Sequence, residues 1–191
     1  MGIEIHGVPI VGSIPNQYID TVKFVEDITS KEMWDGIKSV YINEDIVSKE
    51  TYFEKRNGTH LGIYLTEELI SEEVGFVEFT LIDKNKKSTH YELFESDLPS
   101  IIVNAGFLYE PYWFSIILLH ELGHHLNREA EKTQTEKEYE INAHLFALDL
   151  MEETLLFPED LFFLSDTPYW MDAYLIHLEV STERLKEKLK E

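Results

Sequence analysis

The residues best suited to chemistry form an H-E-x-x-H motif at His120–His124. In a helix, at about 100° per residue, the two histidines lie on one face about 40° apart, so both imidazoles can bind one metal ion. A catalytic zinc ion takes three protein ligands and keeps a fourth position for water. The motif therefore predicts a zinc site in which His120 and His124 are ligands and Glu121 is the base that takes a proton from water.

The third metal ligand is expected in the next helix. Glu140, Ala143, His144 and Ala147 share one face of that helix by their spacing, and the small alanines would allow close packing against the motif helix. Glu140 is the predicted ligand. Glu138 and His144 are alternatives, and His144 could instead orient a ligand from one turn away.

Hydrolysis of an amide also requires a donor for the negative oxygen that develops on the substrate. One candidate is His125, whose position in the helix indicates a supporting or structural residue rather than a metal ligand. Four tyrosines are the other candidates: Tyr109, Tyr112, Tyr139 and Tyr169. An extended substrate would be held by pairing with an exposed sheet edge, for which the segment 59–66 is our prediction.

The elements that must position these residues change in kind along the chain. Apolar residues at helical spacing predict a first helix over 17–34, and alternating or β-branched runs then predict strands. The strands are expected at 37–42, 58–66, 74–82 with its hairpin partner 89–94, and 101–104. Helices are expected at 111–127, 134–153 and 170–190. Strands followed by helices indicate an α+β fold, here one domain over 1–191 with a strand-rich half (1–98) and a helical half (99–191).

Composition narrows the classes of function. The chain has 191 residues, 43% of them hydrophobic, with 16 basic and 37 acidic side chains, so the formal charge is 16 − 37 = −21. Such a charge argues against binding nucleic acid or anionic membranes and suits a cationic partner. With no cysteine, disulfides, thiolate metal sites and cysteine nucleophiles are excluded. The longest apolar run, 112–119, is short of the ~20 residues of a membrane span, and the first residues do not resemble a signal peptide, so we expect a cytoplasmic protein.

Four features in order resemble the ImmA/IrrE family of zinc metallopeptidases over about residues 99–189. They are Ile102-Val103-Asn104, the helix ending in His120–His124, Glu140-x-x-Ala143-x-x-Phe146-Ala147, and His177–Ser181 followed by Arg184-Leu185. The resemblance implies a zincin-like, gluzincin-type endopeptidase with His120, His124 and Glu140 on zinc and Glu121 as base. Members of the family cleave helix-turn-helix repressors, so the implied partner is a protein substrate such as a transcriptional repressor.

Three functional hypotheses follow from the sequence. The first is a zinc endopeptidase that acts on a protein. The second is a regulatory or binding module without catalysis, whose zinc site is structural. The third is a hydrolase of small peptides or other amides. The presence of Glu121 favours an enzyme, because a purely structural site has no use for a base beside its ligands.

Overall fold

The computed structural model describes residues 2–14, 16–43, 62–70, 73–83, 85–104, 111–129 and 133–151. Within these residues the chain forms a mixed sheet, a separate β-hairpin and three α-helices. The strands are β1 Glu4–Ile5, β2 Val8–Gly12, β3 Val40–Asn43, β4 Gly62–Leu65, β5 Val77–Ile82, β6 Ser88–Leu93 and β7 Ser100–Asn104. The helices are α1 Ile19–Ile28, α2 Pro111–Asn127 and α3 Glu136–Leu150. The predicted α+β class is therefore confirmed.

The five-stranded sheet has the order β1-β2-β3-β7-β4. Its three central strands run parallel, with Val40 opposite Ile101 and Ile42 opposite Val103, while β1 and β4 run antiparallel to their neighbours. Central parallel strands are buried on both faces, which explains the unbroken apolar runs in β3 and β7. Among the described strands, β4 has a partner on one side only and therefore forms an edge of the sheet.

Successive residues of these strands pack on opposite faces of the sheet, as the two-residue period of a strand requires. Val40, Ile42, Ile101 and Val103 belong to the core beneath α1 and α2. Tyr41, Ile102 and Leu65 belong to a second core beneath the hairpin β5–β6. The sheet is thus the middle layer between helices and hairpin.

Helix α2 is enclosed by other elements, which explains why it is apolar on nearly all sides. From Trp113 to Leu119 every residue is buried, and the ring of Phe114 stacks on Tyr18 at 5.0 Å between centroids. Helix α1 packs Val22 and Val25 into the same core. No helix among the described residues has the length and hydropathy needed to cross a membrane.

The predicted first helix, 17–34, is wrong at its C-terminal end. Helix α1 ends at Ile28, and the chain continues through extended Thr29 into a 3₁₀ helix at Lys31–Trp34. The hydroxyl of Thr29 donates to the carbonyl of Val25 at 2.7 Å and accepts the indole N–H of Trp34 at 3.0 Å, which stabilises this break. The hydrophobic period does not reveal this break, because Trp34 belongs to the same core as the buried residues of α1.

The later predictions hold within the described residues, with shifted bounds: the predicted strand 37–42 is present as β3 from Val40, and the predicted strand 74–82 is present as β5 from Val77. The hairpin, strand 101–104 and helix 111–127 are confirmed, and the predicted helix 134–153 is present as α3. Of the predicted strand 58–66, the described part is β4. The predicted helix 170–190 and the segment His177–Ser181 with Arg184-Leu185 lie outside the described residues, as do Tyr109 and Tyr169.

Candidate metal centre

Helix α2 brings the two motif histidines together as their spacing predicts. The Nε2 atoms of His120 and His124 lie 3.0 Å apart, and the two rings are nearly perpendicular at a centroid distance of 4.6 Å. Both rings therefore direct the same nitrogen at one point beside the helix. That is the arrangement in which two imidazoles bind a common ion.

Helix α3 adds Glu140 to this pair. Its Oε2 lies 3.1 Å from Nε2 of His120, and its Oε1 lies 3.4 Å from Nε2 of His124. Tetrahedral zinc with bonds of ~2.0–2.1 Å separates its ligand atoms by roughly 3.3 Å. The measured separations fit that value, so His120, His124 and Glu140 form a group that could hold one metal ion.

The seam between α2 and α3 is narrow, which lets Glu140 reach the histidines. A Cβ built on Gly123 would lie 2.9 Å from both the Cα and the carbonyl oxygen of Ala143, so only glycine fits there. Ala143 and Ala147 are fully buried, as their predicted role in close packing requires. Tyr139 also spans the seam, because its hydroxyl donates to the carbonyl of His124 at 3.0 Å.

The two alternative ligands, Glu138 and His144, do not belong to the converging group. The exposed Glu138 belongs to a capping box at the start of α3, where its carboxylate accepts from the backbone N–H and the hydroxyl of Thr135 at 2.9 and 2.7 Å. His144 is buried with its ring 5.8 Å from that of His120, and it is not among the residues whose ligand atoms converge. Of the three candidates, the structure brings Glu140 to the histidines.

The charge of Glu140 suits a metal ligand. Burial acts to raise the pKa of its carboxyl, but the hydrogen bonds and charges of His120 and His124 outweigh burial and hold the pKa well below its ordinary value. The side chain is 40% exposed, against 12% for His120 and 7% for His124. The carboxylate thus stays ionised, as a ligand must, and the site opens to solvent on the side of α3.

Glu121 lies on the side of α2 that faces β4. It is buried, and a Cβ built on Gly62 would lie 2.5 Å from its Oε1, so the carboxylate rests directly against the strand backbone. Burial raises the pKa of the Glu121 carboxyl, while His120 and His124 act to lower it. A raised pKa brings a carboxyl closer to the range in which it exchanges protons near neutral pH.

His125 binds two parts of the chain that are distant in sequence. Its Nε2 donates to the carbonyl of Asp35 and its Nδ1 accepts the hydroxyl of Tyr64, both at 2.9 Å. Burial lowers the pKa of this imidazole and so favours its neutral form. Two of the residues considered as oxyanion donors, His125 and Tyr139, therefore make hydrogen bonds inside the fold. The side chain of Tyr112 lies outside the described residues, with Tyr109 and Tyr169.

Sequence reasoning predicted a strand here but missed the contacts of β4 with α2. Gly62 and Tyr64 lie two residues apart on the strand and both contact α2, through Glu121 and His125. An isolated glycine within a strand pattern indicates the close approach of another group, and this signal could have identified Gly62. No local sequence pattern indicates the hydrogen bonds that Tyr64 and Asp35 form with His125.

Comparisons with protein-family models, with curated proteins and with solved structures return no match for this chain.

Proposed function

We propose that this protein is a zinc-dependent endopeptidase, zincin-like and similar to the ImmA/IrrE family, that hydrolyses a peptide bond in a protein substrate. The observation that carries the proposal is the convergence of Glu140 on the two motif histidines, at 3.1 Å from His120 and 3.4 Å from His124. A ligand set of two imidazoles and one carboxylate is one that catalytic zinc sites use.

The number of ligands favours catalysis over a structural zinc site. Structural zinc is held by four protein ligands, whereas catalytic zinc keeps one position for water or substrate. Within the described residues the converging group has three members, and its Glu140 side is open to solvent. Bound there, zinc supplies a Lewis acid that polarises the scissile carbonyl and makes water a better nucleophile.

Glu121 is the proposed general base and acid. It follows the ligand His120 directly, so it lies beside the ligands without being one of them. Its burial and raised pKa suit a carboxylate that takes a proton from the attacking water and delivers it to the leaving amine. The Glu121 carboxylate lies against β4 at Gly62, so a substrate paired with this edge strand would lie near the base.

The proposed partner is a protein segment in extended form. A net charge of −21 favours a cationic substrate, and the family resemblance suggests a helix-turn-helix transcriptional repressor. Such a substrate places the proposed activity in the cytoplasm. No direct contact with nucleic acid is required, because hydrolysis acts on the repressor itself.

The test is a cleavage assay on a whole proteome and on a set of short peptides, with wild type and Glu121→Gln compared at equal zinc content. Loss of the general base is expected to lower cleavage by about 10²–10⁴-fold while zinc remains bound. Glu138→Gln is the matched control, since Glu138 is exposed in a capping box that glutamine also satisfies. Equal cleavage by wild type and Glu121→Gln would contradict the proposal, and cleavage of short peptides alone would favour a small-peptide hydrolase.

A further inference from the structure

Helix α2 carries two pairs of polar side chains, and the two residues of each pair lie one helical turn apart. His120 and His124 form the first pair and face Glu140 on α3. Glu121 and His125 form the second pair, and both are buried. The pairs are offset by one residue, so they point about 100° apart, and the second pair faces β4. A second group of buried polar side chains therefore lies on the side of α2 next to the proposed ligands.

Strand β4 contacts both members of this second pair, Glu121 through Gly62 and His125 through Tyr64. Two residues before Tyr64, a Cβ built on Gly62 would lie 2.5 Å from Oε1 of Glu121, so the strand backbone lies directly against that carboxylate. The hydroxyl of Tyr64 bonds to Nδ1 of His125 at 2.9 Å, with the two rings packed edge to face at 5.5 Å. Two residues of one strand therefore contact two points on α2 that are one turn apart. We call Gly62, Tyr64, Glu121 and His125 the Tyr64 bridge.

The direction of the hydrogen bonds in the Tyr64 bridge is set by Asp35. The carbonyl of Asp35 lies 2.9 Å from Nε2 of His125 and can only accept, so Nε2 carries the proton. In a neutral imidazole the other nitrogen, Nδ1, then has a lone pair, and it accepts the hydroxyl proton of Tyr64. The chain segment before β3, the helix α2 and the edge strand β4 are joined in this way through one imidazole.

Gly62 restricts the space in which the Glu121 carboxylate can move. A Cβ at position 62 would lie 2.5 Å from Oε1 of Glu121 and 2.7 Å from Cγ2 of Ile117. The carboxylate is therefore confined between strand backbone and helix. The position of β4, which the bond between Tyr64 and His125 anchors to α2, therefore sets the space available to the carboxylate.

We infer that Tyr64 and His125 are positioning residues, whose side chains hold β4 against α2 and so keep the Glu121 carboxylate in place for proton transfer, without contacting the metal or the reacting bond. The kinetic part of this inference rests on the proposed function. The bonds can be measured independently of it, in protein without metal. Because a displacement of about 1 Å at a reacting group can cost ~10²-fold in rate, even a small shift of Glu121 is expected to affect turnover.

The first experiment is amide hydrogen exchange in metal-free protein, with Tyr64→Phe as the variant. This change keeps the ring and removes only the hydroxyl that anchors β4 to His125. Exchange at the amide of residue 64 is expected to become about tenfold faster, while the amide of Val103 in the adjacent strand stays unchanged. The matched control is Tyr91→Phe, the same chemical change on the hairpin side of the sheet. Unchanged exchange at residue 64 would overturn the inference, whether or not the protein cleaves a substrate.

The second experiment is kinetic and uses zinc-loaded protein. Tyr64→Phe is expected to lower kcat about tenfold, the effect of one hydrogen bond, with KM and zinc content unchanged. In the Glu121→Gln background the same change should cause no further loss, because Tyr64 acts through Glu121. Equal kcat in wild type and Tyr64→Phe, or a full additional loss in the double variant, would overturn the inference while leaving the proposed function intact. A wild type that neither binds zinc nor cleaves would contradict the proposed function, and amide exchange would then decide on the bridge alone.

Discussion

The two faces of the central sheet are built from the same strands but differ in what they bury. On the helix side the core extends into α2 and α3, and these helices carry the buried carboxyl and imidazole side chains of the described residues: Glu121, His124, His125 and His144. On the hairpin side the core consists of aliphatic residues and three aromatic rings. Buried ionisable groups are costly unless they are hydrogen-bonded or bound to metal. The two faces therefore differ in the chemistry of their cores, with histidines and a carboxyl group buried on the helix side and aliphatic and aromatic side chains on the hairpin side.

The packing on the hairpin side depends on its aromatic residues. Tyr41, Phe79 and Tyr91 lie 5.0 to 5.4 Å apart between ring centroids, in edge and stacked arrangements. Nearby, the side chain of Asn43 accepts the backbone N–H of Ile82 at 2.9 Å and fixes the end of the hairpin to the sheet. We expect this face to contribute stability without influence on metal binding.

The largest expected effect on stability is that of Phe79→Ala. Removal of this buried ring should lower the free energy of unfolding by about 4 kcal/mol, because the site cannot refill the cavity between Tyr41 and Tyr91. Denaturant unfolding measures this loss, and zinc affinity of the folded variant should be unchanged. Thr80→Ala on the outer face of the same strand is the control. A parallel fall in zinc affinity would show that the two faces are not independent.

Metal removal should affect the helix side. Zinc that binds only the folded chain adds about 2.7 kcal/mol to stability when free zinc is 100 times the dissociation constant. Chelation is therefore expected to lower the melting temperature and to speed amide exchange in α2 and α3 more than in β5 and β6. The same melting temperature before and after verified metal removal would contradict a site that joins two helices.

Gly123→Ala should have a smaller effect that combines stability and binding. The added Cβ would meet the backbone of Ala143 at 2.9 Å, and backbone atoms cannot move aside without separating α2 from α3. We expect a loss of about 2 kcal/mol in stability together with weaker zinc binding, because Glu140 moves away from the histidines. Gly2→Ala, where no atom lies within 4 Å of the added Cβ, is the control. Unchanged zinc affinity in Gly123→Ala would indicate that the seam is not what positions Glu140.

Local patterns were sufficient for most of the fold. Pro111 at a first helical turn and the apolar run after it predicted α2, and the turn residues after Ile82 predicted the hairpin. The end of α1 was missed because it depends on the side chain of Thr29, which binds both Val25 and Trp34. Such a break is a matter of specific hydrogen bonds, and the hydrophobic period does not register them.

The candidate site was predictable where helical spacing assigns residues to a face, and not where tertiary contacts alone bring residues together. His120, Glu121 and His124 follow from one helical motif. Glu140 was predicted rather than Glu138 because it shares a helix face with Ala143 and Ala147, and the capping-box pattern Thr135-x-x-Glu138 could have strengthened that choice. The bond between Tyr64 and His125 joins residues 61 apart in the chain, and only tertiary structure brings them together.

The claim that His120, His124 and Glu140 bind one zinc ion is tested most directly by calorimetric zinc titration of metal-free wild type, Glu140→Gln and Glu138→Gln. We predict one zinc per chain in wild type, an affinity at least ~10-fold weaker in Glu140→Gln, and wild-type affinity in Glu138→Gln. Failure of wild type to bind zinc, or equal losses in the two variants, would contradict it.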